Sequence, residues 1–244
     1  MRKLVIDFGN TLQKLAVFEG KQMSSRVTFQ GLEEAGLKNY LKEKGPFNAI
    51  ILSSVASHSP EIHKILASNA LLVILDEKTL LPIANLYETP ETLGNDRLAA
   101  AVGANALFRG KNVLSIDAGT CITYDFLTKN GEYLGGGISP GIRMRFRAMN
   151  AFTGRLPMVE PEDFESLIGT NTRDSLLSGV INGVCEEIKG TIGLYMKQYG
   201  EITTVITGGD HEFLHNKLKI NIFAVPDLVL LGLNEILDGH DMER

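Results

Sequence analysis

Two segments of this chain share one pattern, VIDFGNT at 5–11 and SIDAGTCIT at 115–123. Each is an apolar strand ending in Asp, followed by a glycine-bearing turn and then hydroxyls. In the first copy Leu4, Val5 and Ile6 favour extended backbone and predict a strand buried on both faces. Asp7 ends it, and Gly9 permits a turn whose backbone N–H groups can approach a ligand with no Cβ in the way. Asn10 and Thr11 add side-chain donors suited to phosphate oxygens. The second copy repeats the order with Val113, Leu114 and Ile116, then Asp117, Gly119, Thr120 and Thr123. A carboxylate is repelled by a polyphosphate, so each Asp implies a cation or its water shell. A strand with an Asp-Gly turn also occurs in ordinary hairpins, but here each copy continues into a second strand and turn. These are LQKLAVFEGKQ after the first and YDFLTKNGEYLGG after the second, where Asn130-Gly131 signals a hairpin. A repeat of whole supersecondary units predicts two similar halves facing one nucleotide.

With 244 residues, 44% of them hydrophobic, the chain can bury one large core or two modest ones, and the repeat favours two. The net charge is -5 with no Lys/Arg block, which argues against a nucleic-acid partner. Cys121 and Cys185 have no metal-ligand spacing and fit a reduced intracellular protein, Cys185 as core and Cys121 as a small filler in the second loop. The N-terminal apolar run stops at Asp7, too soon for a signal peptide. No stretch reaches the ~18 apolar residues of a membrane span. The expectation is a soluble, cytoplasmic protein with no membrane partner.

Along the chain, the patterns predict helices over 31–45 and 60–67 and strands over 48–55 and 71–76. After Asn112 they predict helices near 140–151, 174–198 and 226–237, and a strand closing at 205–209. This is an α/β pattern with mixed sheets. Two domains of similar size are expected, 1–111 and 112–244, with no Pro-, Gly- or Ser-rich linker between them.

Between the two loops lies YETPETLGNDRLAAAVGANALF, residues 87–108. Pro90 and Gly94 stiffen the approach, and an Ala-rich helix from Arg97 onward places Asn95 and Asp96 at a helix N-terminus. Asp96 suits a helix cap, or a carboxylate held near a substrate hydroxyl with Arg97 ready for an anionic group. A cap alone does not account for Tyr87 and Arg97. Two glycine clusters follow. Gly135 to Gly137 are expected to end a hairpin strand, with Pro140 opening a helix, and Gly208-Gly209 after a buried strand can lie flat against a purine or ribose. No aromatic or acidic residue is evidently placed to read the base, which predicts loose nucleotide choice.

Together these segments resemble the acetate kinase, hexokinase, actin and heat-shock-chaperone superfamily, and within it type III pantothenate kinase. The resemblance rests on DFGNT at 7–11, Tyr87 with PETLGNDR at 90–97, DAGTCITYD at 117–125, GGGISPG at 135–141, GTNTRDSLLSG at 169–179 and TGG at 207–209. It implies two RNase H-like domains, each a mixed five-stranded sheet flanked by helices. It also implies ATP-dependent phosphorylation of the pantothenate hydroxyl to 4′-phosphopantothenate, in coenzyme A biosynthesis. By position, Asp96 corresponds to the general base, and Tyr87, Gly94, Asn95, Asp96, Arg97 and Thr172 to pantothenate contacts. Asp7, Phe8, Gly9, Asn10, Thr11, Leu12, Gln13 and Lys14 correspond to the first phosphate loop, Thr120 to an ATP contact in the second, with Gly208 and Gly209 on the nucleotide. Asp7 would act on Mg²⁺ or another divalent ion through water, and Asp117 would hold K⁺ or NH₄⁺. A homodimer is implied. The alternatives are a kinase of another small hydroxyl substrate on the same scaffold, and a non-catalytic transcription accessory relative, which should lack the base.

Overall fold

A computed structural model describes residues 1–54 and 59–241. In chain order the first elements are β1 (Arg2–Phe8), β2 (Gln13–Glu19), β3 (Gln22–Phe29), α1 (Glu34–Lys44), β4 (Ala49–Ser54), α2 (Pro60–Ala67), β5 (Leu71–Ile74), β6 (Ala84–Asn85) and α3 (Asn95–Leu107). Then come β7 (Val113–Ala118), β8 (Cys121–Leu127), β9 (Glu132–Pro140), α4 (Ile142–Phe152), α5 (Thr172–Leu177) and α6 (Gly183–Tyr199). The chain closes with β10 (Thr203–Thr207), α7 (His211–Leu218), β11 (Phe223–Ala224) and α8 (Leu228–Asp241). The fold divides into two compact units. One holds Met1–Gly110, Leu127–Leu134 and the segment from Asp227 on; the other holds Lys111–Phe126 and Gly135–Pro226.

In the first unit the sheet order is β3-β2-β1-β4-β5, with β1 antiparallel to β2 and parallel to β4. Leu4, Val5 and Ile6 are fully buried, as a central strand covered on both faces requires. Leu37 and Leu41 of α1 and Ile62, Ile65 and Leu66 of α2 share a core with Leu4, Ile6 and Phe8. Pro60 opens α2, and the Ser59 hydroxyl accepts a hydrogen bond from the Glu61 N–H, an N-cap with proline at the first helical position. The strand expected over 48–55 is β4; Val55 lies outside the described residues.

The second sheet orders its strands β11-β10-β7-β8-β9, with β10 parallel to both β7 and β11. A sixth, two-residue strand, β6, continues this order by pairing Ala84 and Asn85 with Glu132 and Tyr133. Five strands were expected in each sheet, and a two-residue strand has no periodicity to show. The core gathers Leu114, Ile116, Phe126, Phe146, Leu177, Val184, Ile188 and Ile206.

Three local expectations change. The glycine run does not end β9, which continues to Pro140. An added Cβ at Gly136 would lie 1.6 Å from the Tyr124 carbonyl oxygen, so the glycine serves the close approach of β8 rather than a strand end. Helix α4 consequently starts at Ile142, with Gly141 as its N-cap. The single helix expected over 174–198 is α5, a π-helical turn at Ser178–Asn182 and then α6. Among the described residues no helix is long and apolar enough to cross a membrane.

Candidate active site

In the first unit, the β1–β2 turn is closed by the Gly9 N–H donating to the Leu12 carbonyl at 3.1 Å. Asp7 sits just before it, 6% exposed, in register with Lys14 on β2 and Ser53 on β4. Phe8 is buried, Gly9, Leu12, Gln13 and Lys14 are half-buried, and Asn10 and Thr11 are exposed at the tip. A rigid strand therefore carries the carboxylate while the polar tip stays open to a ligand.

The LGNDR block forms the entrance to α3. A 3₁₀ turn at Pro90–Thr92 leads to Gly94 as N-cap, so the helix begins at Asn95. Asn95 is tied down through its side-chain amide, which donates to the Leu75 carbonyl at 2.9 Å. Asp96 lies in the first turn, where its Oδ1 accepts from the Arg97 N–H at 2.9 Å. The side chain curls back over the N-cap, since a Cβ on Gly94 would come within 2.6 Å of Asp96 Oδ1. Glycine at 94 thus leaves the room that the carboxylate occupies. Arg97 is 7% exposed, with its guanidinium 5.8 Å from the centre of the Tyr87 ring, within cation–π range. Tyr87 in turn packs beside Tyr133, ring centres 6.3 Å apart. The structure therefore brings Tyr87, Gly94, Asn95, Asp96 and Arg97 to one helix terminus, with the Asp96 carboxylate on the Arg97 backbone N–H and the Arg97 guanidinium over the Tyr87 ring. That arrangement suits a molecule bearing both a hydroxyl and an anionic group.

In the second unit, the Asp117 loop is held between two glycines. At Gly208, whose φ is +92°, an added Cβ would lie 2.4 Å from both the Asp117 Oδ1 and the Ala118 carbonyl oxygen. At Gly141 it would lie 2.2 Å from the Gly119 oxygen and 2.5 Å from the Thr120 oxygen. The Gly141 N–H donates to the Thr120 carbonyl at 3.1 Å, and the Asp210 N–H donates to the Ala118 carbonyl at 2.9 Å. Two motifs distant in sequence, GGGISPG and TGGD, thus both serve the same loop. Thr172 stands exposed at the start of α5, whose N-cap Asn171 accepts from the Asp174 N–H at 2.9 Å. It lies on a different element from the Asp117 loop.

Beside Gly209 an open cavity of about 400 Å³ is lined by Ile142, Arg143, Asp210, Glu212 and Phe213, among others. Arg143 and Asp210 form an ion pair at 2.7 Å across it. The lining carries the aromatic Phe213 and the acidic Asp210 and Glu212. Phe213 belongs to α7, a helix whose eight residues carry too little apolar periodicity to mark it. Cys121 is half-buried and Cys185 buried, both free thiols.

Comparison with known proteins bears on this arrangement. The family model described as type III pantothenate kinase matches residues 3–193. A type III pantothenate kinase of Christiangramia forsetii is 45% identical over 238 residues, covering 96% of this chain and 97% of its own. One from Phocaeicola vulgatus is 42% identical over 240 residues, covering 98% of each. Among solved structures, a Campylobacter jejuni protein described as a Baf family transcriptional activator superposes with a TM-score of 0.64 at 24% identity, covering 98% of this chain and 99% of the other. A glucokinase from an Antarctic psychrotroph does so with a TM-score of 0.56 at 13% identity, covering 98% and 99%. These two likenesses bear on fold alone. The matched segment contains both Asp loops and the whole of Tyr87 to Arg97, and with near-full-length relatives above 40% identity it shows that the chain belongs to the type III pantothenate kinase family.

Proposed function

We propose that this protein transfers the γ-phosphoryl group of ATP to the hydroxyl of pantothenate, giving 4′-phosphopantothenate for coenzyme A biosynthesis. The observation that carries the proposal is the start of α3, where Asp96 lies in the first turn and the neighbouring Arg97 guanidinium lies over the Tyr87 ring. Phosphoryl transfer has little covalent chemistry for a protein to do. It needs a hydroxyl held in line, a base within hydrogen-bond reach of it, and compensation for charge on the phosphates. Asp96 takes the hydroxyl proton, and the Arg97 guanidinium binds the pantothenate carboxylate, with Tyr87, Gly94, Asn95 and Thr172 as further contacts. Asp7 to Lys14 and Thr120 contact the phosphates, and Gly208 and Gly209 the nucleoside.

Among the described residues no three His, Cys, Asp or Glu side chains converge to hold a metal. A divalent ion such as Mg²⁺ keeps several waters and takes few protein ligands; Asp7 would hold it through water. Beside Gly208 the Asp117 carboxylate and the Ala118 carbonyl lie close together, a hard oxygen donor set suited to K⁺ or NH₄⁺. When bound, these cations supply positive charge that offsets the phosphates. The alternative of a non-catalytic relative is disfavoured by the presence of Asp96. A cytoplasmic homodimer, as the family resemblance implies, completes the reading.

The test is ADP release with and without pantothenate, each in the presence and absence of potassium. We expect release to require pantothenate and to rise with potassium. Release that ignores pantothenate, or that follows another hydroxyl acid better, overturns the proposal. Light scattering should give twice the 26.7 kDa chain mass; a monomer rejects the dimer.

A further inference from the structure

Glu187 lies on α6, far in sequence from either phosphate loop, yet it closes a polar network in the second unit. Its Oε1 accepts from the Ser139 hydroxyl at 2.6 Å and from the Tyr124 hydroxyl at 3.1 Å. Its Oε2 accepts from Arg145 Nη2 at 2.6 Å. Arg145 in turn donates from Nε to the Pro140 carbonyl at 2.9 Å and from Nη2 to the Ser139 hydroxyl at 3.4 Å. Side chains from β8, β9, α4 and α6 therefore fix one short stretch of backbone, Ser139 to Gly141.

That stretch bears directly on the second phosphate loop. The Gly141 N–H donates to the Thr120 carbonyl, and the Gly141 Cα is so close to the loop that a Cβ there would collide with the Gly119 and Thr120 oxygens. A displacement of Pro140 or Gly141 by a fraction of an ångström must therefore move the loop or break its hydrogen bond. The network is poorly explained as a device for stability alone. The Arg145 and Glu187 side chains are 22% and 32% exposed, and a partly buried ion pair is often no more stabilising than apolar residues of the same volume. What charge-assisted, multiply bonded groups supply in addition is a fixed geometry. Burial pushes the Glu187 carboxyl up, but hydrogen bonds from Ser139 and Arg145 outweigh it and hold the group below the usual carboxylate range. Glu187 is thus the charged acceptor on which the other three converge.

We propose that Glu187 is a positioning residue for the nucleotide: through Ser139, Arg145 and the Pro140-Gly141 backbone it sets the position of the Gly119-Thr120 loop. The proposal rests on the reading of Thr120 as an ATP contact. It concerns ATP and not pantothenate, because the network touches only the second loop.

The experiment uses the full chain and steady-state kinetics, varying ATP at saturating pantothenate and the reverse, with thermal melting in parallel. Thr120→Ala reports on the loop itself and should raise the KM for ATP. Glu187→Ala should raise the KM for ATP ~10-fold, in keeping with the loss of hydrogen bonds to a charged group, and leave the KM for pantothenate within about twofold. Glu187→Gln, which keeps an acceptor for Ser139 and Tyr124 but loses the charge facing Arg145, should fall between Glu187→Ala and wild type. If Glu187→Ala does not fold, Ser139→Ala and Arg145→Gln carry the same test and should move the KM for ATP in the same direction. If Thr120→Ala leaves the KM for ATP unchanged, the loop reading fails and this proposal with it. If Thr120→Ala raises it while the network variants alter only the melting temperature, or both KM values alike, Glu187 is a structural brace and the proposal alone falls.

Discussion

At Asp96 a capping acid and a catalytic base make different demands on the same side chain. The N-cap is Gly94, and Asp96 stands inside the first turn, using one oxygen to accept the Arg97 N–H. Asparagine can make that same bond with its amide oxygen but cannot take a proton from a hydroxyl. Asp96→Asn should therefore melt at the wild-type temperature while its turnover falls by ~10² or more, the upper part of the range for loss of a general base. The check is kcat alongside a thermal melt; a large loss of stability with nearly intact turnover would return Asp96 to a purely capping role. This residue was legible in the sequence because LGNDR joins a helix start to an Arg. The ring contact between Tyr87 and Arg97 was not, since nothing in a one-dimensional pattern states which face of the loop the ring takes.

Helices α3 and α8 show why an alanine-rich sequence sits beside Asp96. Ala99, Ala100, Ala101 and Ala104 are all buried, so α3 presents small residues where most helices present Leu or Ile. The partner helix supplies glycine: a Cβ on Gly232 would lie 1.8 Å from the Ala99 carbonyl oxygen, and one on Gly103 would lie 2.4 Å from the Leu228 carbonyl oxygen. Backbone meets backbone, and the first turn of α3 is carried on a helix that has little room to shift. Gly232→Ala forces the helices apart and should cost about 2 kcal/mol, lowering the melting temperature by roughly 5 °C in a chain of this size. Differential scanning calorimetry reads it directly; an unchanged melt would mean that the helix pair is compliant. The sequence showed two apolar helices but not their pairing. Alanine and glycine differ too little in hydrophobicity from the residues around them to mark one face of a helix as the side that meets a partner.

Across the whole molecule, the chain does not stay in the half where it ends. The segment from Asp227 on belongs to the first unit, and besides its packing on α3 it makes three ion pairs there. Lys3, fully buried, pairs with Asp238, Lys21 pairs with Glu235, and Arg26 pairs with Asp227. The exposed pairs contribute little. The Lys3–Asp238 pair differs, because removing one partner strands the other. Asp238→Asn leaves a buried ammonium without its anion and should cost about 3 kcal/mol. Lys3→Met leaves only a carboxylate that is one-third exposed, and should cost less. Denaturant titration of both variants tests the ordering; equal costs would argue that the pair contributes packing rather than charge.

What the sequence determined by itself was local: two Asp-ended strands with glycine turns, the helices around them, and the acid-and-guanidinium block between. Hydrophobic period and turn chemistry act within a few residues, so they can be read in one dimension. Tertiary structure decided the rest. It made the glycine run of 135–137 a strand interior, brought Gly141 and Gly208 against the Asp117 loop, and placed Phe213 beside Gly209 in the cavity of that unit. It also returned α8 to the first unit and converged three side chains on Glu187. Each of these depends on close approach between residues distant in the chain. Steric fit and charge pairing at such range leave no periodic trace in the sequence.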